Sequence, residues 1–293
     1  MKRLDSMPMI RFPNDAAPAA SGSALPVPNP KELRQRTARR EITERRRITQ
    51  RLRQALCTGG FVLHYQPIIS LKSGLACGAE TLIRLQHARR GLVPASHFMP
   101  AAERSDLIID LAGWIINTAC AEAASWPGHF SVCTALAPRH LQSGRLVRQL
   151  LEALSRSGLA PGRLQMAITE LMLLDDDDDT MFALRALQGL GVPFALNNFG
   201  TGYASLSALK RLNFATLRLD RSLVQNMAEP SGVAIMRAAV EAGHALGCKV
   251  LAEGVEQEEQ FLRLRDLGAD EAQGPYFSPP VDAAEMAEMF AQN

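Results

Sequence analysis

The 293-residue chain is poor in aromatic residues, at 5% Phe, Trp and Tyr, and they are too dispersed to form a platform on which nucleic-acid bases stack. Its five cysteines, Cys57, Cys77, Cys120, Cys133 and Cys248, are odd in number and never spaced as CxxC. That argues against a disulfide frame or a thiolate zinc site and for a reducing compartment. The six histidines include no HExxH and no paired spacing, so they read as structural. No run approaches the ~20 apolar residues of a membrane helix, and Leu107–Ile116 is broken by Asp110. Near the N-terminus Asp5, Arg11 and Pro13 interrupt any stretch that could serve as a secretory signal. These absences set the expectation of a cytoplasmic protein with no membrane insertion.

There is little net charge of either sign, a formal +2, but charge is unevenly spread. Lys31–Leu56 holds ten basic residues against three Glu, net +7, and residues 1–30 hold three against two, net +1. The remaining chain therefore stands near −6. An acidic body is not a nucleic-acid surface, so nucleic acid is not expected as a partner; the basic arm suits acidic partners. The run Asp175–Asp179 could be mistaken for a metal cluster, but it reads better as a solvated loop. There it would cap a helix starting near Thr180 and complement its dipole.

What is present divides the chain into three. Residues 1–29, rich in Pro, Ala and Ser without an apolar period, predict a disordered tail. Residues 30–51 predict a basic helical arm, whose stripe Ile48, Leu52, Ala55 and Leu56 docks on the remainder, with dimerisation or partner binding as the alternative. Residues 52–293 predict one domain. Within it, strand candidates Phe61–Gln66, Leu75–Leu85, Ser131–Ala137, Leu164–Glu170, Pro193–Asn197, Thr216–Asp220, Lys249–Glu253 and Glu271–Phe277 alternate with helical patterns. One such helix is Gly232–Leu246, with Ile235, Ala238, Ala239, Ala242 and Leu246 as its apolar face and Gly247 past its end. Eight such strands over this length fit an α/β fold, a TIM-like (β/α)8 barrel. A doubly wound open sheet competes, although no Gly-rich phosphate loop follows the first strand.

Polar residues interrupt the apolar strands at six places. Glu80 lies within Leu75–Leu85, Glu170 ends Gln165–Glu170, Asn197 and Asn198 end Pro193–Leu196, Arg218 falls between Leu217 and Leu219, Glu253 ends Val250–Ala252, and Gln273 follows Asp270–Ala272. In a barrel, the C-terminal strand ends face one shared pocket. Carboxylates there are costly to desolvate and need a cation or a base as partner.

The ordered motifs resemble the EAL domain family from about Leu52 onward. They are Tyr65-Gln66-Pro67-Ile68, Gly78-Ala79-Glu80-Thr81-Leu82-Ile83-Arg84, Pro94–Glu103, Ile168-Thr169-Glu170, Phe199–Leu206, Leu219-Asp220-Arg221-Ser222, Ala252–Glu256 and Gln273-Gly274. The resemblance implies an EAL-type barrel that linearises cyclic di-GMP with two divalent cations. It also implies metal ligands at Glu80, Glu170, a position held here by Ala135, and an Asp pair held here by Asn197 and Asn198. Arg218 stands at the family's lysine, and Ala215 at a nearby acidic position. Hard divalent cations prefer anionic oxygens, and guanidinium cannot act as a base. The expectation from these departures is a chain that is not an enzyme and holds neither metal nor other cofactor. Arg218 would pair with Glu170 or Glu80. The expected ligand-binding set for cyclic di-GMP is Gln66, Glu80, Leu82, Arg84, Asn197, Asn198, Glu253 and Gln273. The expected function is that of a cyclic di-GMP receptor acting through a protein partner, with a nucleotide-independent interaction protein and a residual phosphodiesterase as alternatives. By analogy alone, the family suggests a homodimer.

Overall fold

The computed structural model describes residues 30–173, 178–200 and 212–292, with side chains from Thr43 onward apart from Glu44 and Asp178. The expected tail (1–29), Asp175–Asp177 and Thr201–Leu206 of the Phe199–Leu206 motif lie outside the described residues.

In chain order the elements are α1 (Pro30–Cys57), β1 (Phe61–Ser70), β2 (Ala76–His87), β3 (Gly91–Pro94), α2 (Met99–Glu103), α3 (Leu107–Ala124), β4 (Ser131–Ala135), α4 (Pro138–Gln142) and α5 (Leu146–Ser157). There follow β5 (Leu164–Thr169), α6 (Asp178–Gly189), β6 (Phe194–Phe199), β7 (Phe214–Leu219), α7 (Arg221–Gln225), α8 (Pro230–Ala245), β8 (Lys249–Glu253), α9 (Glu258–Asp266), β9 (Glu271–Gln273) and α10 (Ala283–Ala291). They fall into two units. One comprises the chain up to Val62 with Arg84–Ile108, the other Leu63–Ile83 with Ile109 onward. α1 runs unbroken through residue 51, so the arm and the first unit share one helix.

In the first unit, Leu52 and Ala55 of α1 are buried while Ile48 and Leu56 are half-buried. Phe61 packs against Phe98 with ring centroids 5.4 Å apart. The end of β2 turns back through Gly91, at φ 67°, into β3, placing Arg84 opposite Pro94 and His87 opposite Gly91.

In the second unit, eight strands close in the order β1-β9-β8-β7-β6-β5-β4-β2, with β2 returning to β1. Neighbours from β2 through β4 to β9 are parallel. The expected barrel is therefore present, with one departure. β1 is antiparallel to β9 and is followed by β2 without an intervening helix. The connection Leu71–Leu75 is five residues long, and a parallel crossover needs a dozen or more. The strands are covered on both faces and so read as apolar runs: Val132, Leu164, Met166, Ile168, Phe194, Leu196, Leu217 and Val250 are all buried.

Helix α8 corrects the expected face. Its buried stripe is Gly232, Met236, Ala239, Val240 and Gly243, while Ile235 is 56% exposed. Close approach decides this. A Cβ on Gly232 would stand 1.9 Å from the Asn226 carbonyl oxygen, and one on Gly243 2.5 Å from Val250. An apolarity pattern weighs large side chains and overlooks glycines that admit a neighbour.

Helix α3 is long and apolar enough to cross a membrane by length and composition, which the sequence reading overlooked, and half of it is buried inside the protein. Its neighbourhood includes a buried polar contact. The Tyr65 hydroxyl donates to the Glu122 carboxylate, and Tyr65 stacks edge-on against Trp126 at 5.0 Å. Burial, followed by the Glu122 charge, pushes the Tyr65 phenol far above its ordinary range. Burial also raises the Glu122 pKa, with the Tyr65 hydrogen bond opposing it. Tyr65→Phe should cost about 1–3 kcal/mol by leaving that carboxylate without its donor. Urea unfolding checks this, and an unchanged midpoint would count against it.

Candidate functional site

The site is built around a buried arginine at the C-terminal ends of the barrel strands. Arg218 is the penultimate residue of β7 and is fully buried. Its Nε–H donates to Glu253 Oε1 at 2.6 Å, and Nη2 donates to Glu80 Oε2 at 2.6 Å and Gln273 Oε1 at 3.0 Å. Nη1 donates to Cys133 Sγ at 3.2 Å. Gln273 Nε2 in turn donates to Glu80 Oε2 at 2.9 Å and Gln66 Oε1 at 3.1 Å. Gln66 Nε2 donates to the Ser278 carbonyl at 3.3 Å. One connected set of charge-assisted bonds thus ties β1, β2, β4, β7, β8 and β9.

Strand geometry explains this convergence. Arg218 lies opposite Leu251 in the β7–β8 ladder, so Glu253, two residues on, projects from the same face. Small side chains make the room: Cys133, Ala167 and Ala195 form one buried cluster from β4, β5 and β6. Burial opposes the charge on Arg218, but Glu80 and Glu253 outweigh it and raise its pKa well above the ordinary value. Glu253 is raised chiefly by burial, with Arg218 pulling the other way. Burial pushes the Cys133 thiol up to about 12 despite the adjacent guanidinium, so this cysteine is a neutral acceptor and no nucleophile.

The expected residues divide accordingly. Gln66, Glu80, Glu253, Gln273 and Arg218 belong to the one network, and Cys133, which sequence reasoning missed, completes it. Arg218 takes Glu80, as expected, and Glu253 in place of Glu170. Glu170 is buried at the start of the 3-10 turn that follows β5. Leu82 is half-buried on β2. Arg84 sits further along β2 in the first unit, and Ala135 ends β4 exposed. Asn197 Oδ1 is buried without a hydrogen-bond partner among the described residues. Asn198 is the one non-glycine described residue with positive φ, 58°, at a break in β6–β7 register. Asn is among the few side chains that tolerate this left-handed backbone.

Gly274 holds the far side of the network in place. A Cβ there would meet the Val255 oxygen at 2.2 Å and its nitrogen at 2.3 Å. Neither atom belongs to a flexible side chain, so β9 would have to move, and Gln273 with it. Gly274→Ala should cost roughly 3 kcal/mol, the upper end of ordinary overpacking, read as a lowered Tm. A wild-type Tm would refute the close approach.

The two divalent cations implied by the family resemblance find a poor donor set in this arrangement. Among the described residues, no three His, Cys, Asp or Glu side chains lie together as metal ligands. Glu80 and Glu253 are engaged by a guanidinium that repels a cation, and Asn197 and Asn198 offer neutral oxygens where hard ions favour anionic ones. The residues as they stand do not fit a cation pair.

A closed α/β barrel whose polar side chains gather at one strand-end mouth is an enzyme-like or ligand-binding scaffold. A sequence model of the EAL domain matches residues 49–280, and the chain belongs to that family. It is 39% identical over 238 residues to an uncharacterized signaling protein of Caulobacter vibrioides, covering 80% of this chain and 29% of that one. It is 35% identical over 240 residues to the bifunctional diguanylate cyclase/cyclic di-GMP phosphodiesterase MucR of Pseudomonas aeruginosa, covering 80% and 35%. Among solved structures, the PaMucR phosphodiesterase in complex with c-di-GMP aligns with TM-score 0.77 at 34% identity, over 82% of this chain and 99% of that one. The chain spans about a third of the length of these curated relatives.

These relatives overturn the expectation that the chain is not an enzyme. Proteins sharing about a third of its residues across four-fifths of its length are named phosphodiesterases. Nothing in these comparisons sets the chain apart from those enzymes. It is an EAL-domain signalling protein related to cyclic di-GMP phosphodiesterases.

Proposed function

We propose that this EAL domain binds cyclic di-GMP at the mouth of its barrel, over Gln66, Glu80, Leu82, Asn197, Asn198, Glu253 and Gln273, and signals through a protein partner. The observation that carries the reading is the Arg218 network. Cyclic di-GMP is a dianion, and Glu80 and Glu253 alone would repel it. A fixed positive charge 2.6 Å from each carboxylate lowers that repulsion without a metal ion. The buried, unpartnered Asn197 Oδ1 supplies an acceptor suited to a base or ribose donor. The similarity to a relative solved in complex with c-di-GMP supports the choice of ligand.

Calorimetry of the full chain with cyclic di-GMP in chelator tests this directly. Saturable heat is expected, and no heat in chelator would sink the reading. The relatives named as phosphodiesterases favour a second reading, hydrolysis at the same mouth. Chromatography of the mixture with Mn²⁺ decides it by the appearance of linear pGpG.

A further inference from the structure

A groove of about 840 Å³ lies within the first unit, between α1 and the segment from His97 to Ser105. Arg45, Arg46, Arg53 and Arg104 line its rims, and Ile48, Pro100 and Ala101 its apolar part. All four arginines are exposed, and none makes an ion pair among the described residues. Elsewhere in the described chain, exposed arginines do find carboxylates, as Arg145 finds Asp110 and Arg148 finds Glu152. The surrounding charge has the same sign. Beyond the +7 of Lys31–Leu56, Arg84, Arg89, Arg90 and Arg104 stand against Glu103 and Asp106, so residues 31–62 and 84–108 together reach +9. The His87 imidazole registers that field: partial burial and then Arg90, Arg89 and Arg51 hold its pKa below the ordinary value.

The spacing selects among anionic occupants. Arg45, Thr49 and Arg53 repeat every four residues along one side of α1, so the two guanidinium stems are separated by about 12 Å of helix. A small anion wants converging donors, whereas charges strung along a groove match carboxylates about two helical turns apart on a facing segment. A membrane surface fits less well. The apolar residues Leu52 and Ala55, which would have to enter lipid, are already buried in the protein.

We infer that this groove is a docking site for an acidic amphipathic segment of a partner protein, its Glu or Asp side chains paired with Arg45, Arg46, Arg53 and Arg104 and an apolar residue resting on Ile48, Pro100 and Ala101. This deepens the protein-partner half of the function proposed above and is independent of the nucleotide half.

Fluorescence anisotropy of the full chain with a labelled helical Glu/Leu/Ala peptide tests the inference. A saturable rise is expected, weakening as salt is raised. It should fall at least about tenfold in R53E/R104E, because two charge-assisted pairs are lost and two repulsions gained. An unchanged Tm and unchanged nucleotide heat in that variant keep the result attributable to the groove. Polyglutamate of equal length should bind about tenfold more weakly, since nothing fills the apolar part. Peptide affinity that survives R53E/R104E would overturn the inference. So would arginine-dependent binding of phosphatidylserine vesicles or duplex DNA in the absence of peptide binding.

Discussion

Arg218→Ala is expected to lower stability by about 3–5 kcal/mol, the cost typical of stripping the partner from a buried ion pair. For a chain of this size that is roughly 5–15 °C in Tm. Truncation leaves Glu80 and Glu253 without their shared cation, Gln273 Oε1 without a donor, and a void beside Cys133. The pH dependence separates this cause from mere loss of packing. In the variant Glu253, raised by burial and no longer held down by Arg218, is disfavoured as an anion in the folded state, so its folded pKa stands above the unfolded one. Such groups bind more protons folded than unfolded, and stability is lost as pH rises through the carboxylate range. The variant should therefore regain Tm between pH 7 and pH 5 by more than the wild-type chain does, because Arg218 no longer opposes the burial of Glu253. Arg218→Met with Glu80→Gln and Glu253→Gln should recover part of the loss at neutral pH, since no buried charge is then left without its partner. Equal Tm values for wild type and Arg218→Ala across that pH range would refute the central role given to this residue.

How much of this was legible in the sequence depends on the distance over which each feature is encoded. Six of the eight barrel strands were placed by their apolar runs to within about two residues, and β1 was ended at Gln66, four residues short of Ser70. At β9 the reading ran four residues too far, to Phe277, because Gly274 ends the strand where the chain must clear Val255. The hairpin strand β3 was missed, since four residues with two exposed carry no alternation to detect. The antiparallel entry of β1 was also missed, although Leu71–Leu75 is too short for a crossover and that signal was available. At the mouth, polar interruptions of apolar runs identified Glu80, Arg218, Glu253 and Gln273 without any structure. Their pairing was harder to read. Glu253 reaches Arg218 through the β7–β8 register, a relation between residues 35 apart that no local pattern carries. Cys133 was invisible for a different reason: a buried cysteine reads as a small hydrophobe until a guanidinium is placed against it.

Cyclic di-GMP at a concentration about 100-fold above its Kd should stabilise the full chain by ~2.7 kcal/mol, seen as a Tm rise of several degrees in chelator. The shift arises by mass action, so it should grow with the logarithm of ligand concentration rather than saturate with occupancy. Gln66→Ala should weaken binding by about 10–100-fold, the range for a hydrogen bond to a charged group. Gln66 suits this test because it is half-buried at the edge of the network, joined to it by the single Gln273 bond. Removing it leaves Arg218 with all of its own partners, so the unliganded Tm should move by no more than about 1 kcal/mol in equivalent stability. A variant that loses the ligand shift while keeping the unliganded Tm places the nucleotide at this mouth. A ligand shift of undiminished size in Gln66→Ala would move the nucleotide elsewhere on the molecule, and a wild-type chain with no shift at all would remove it from the account.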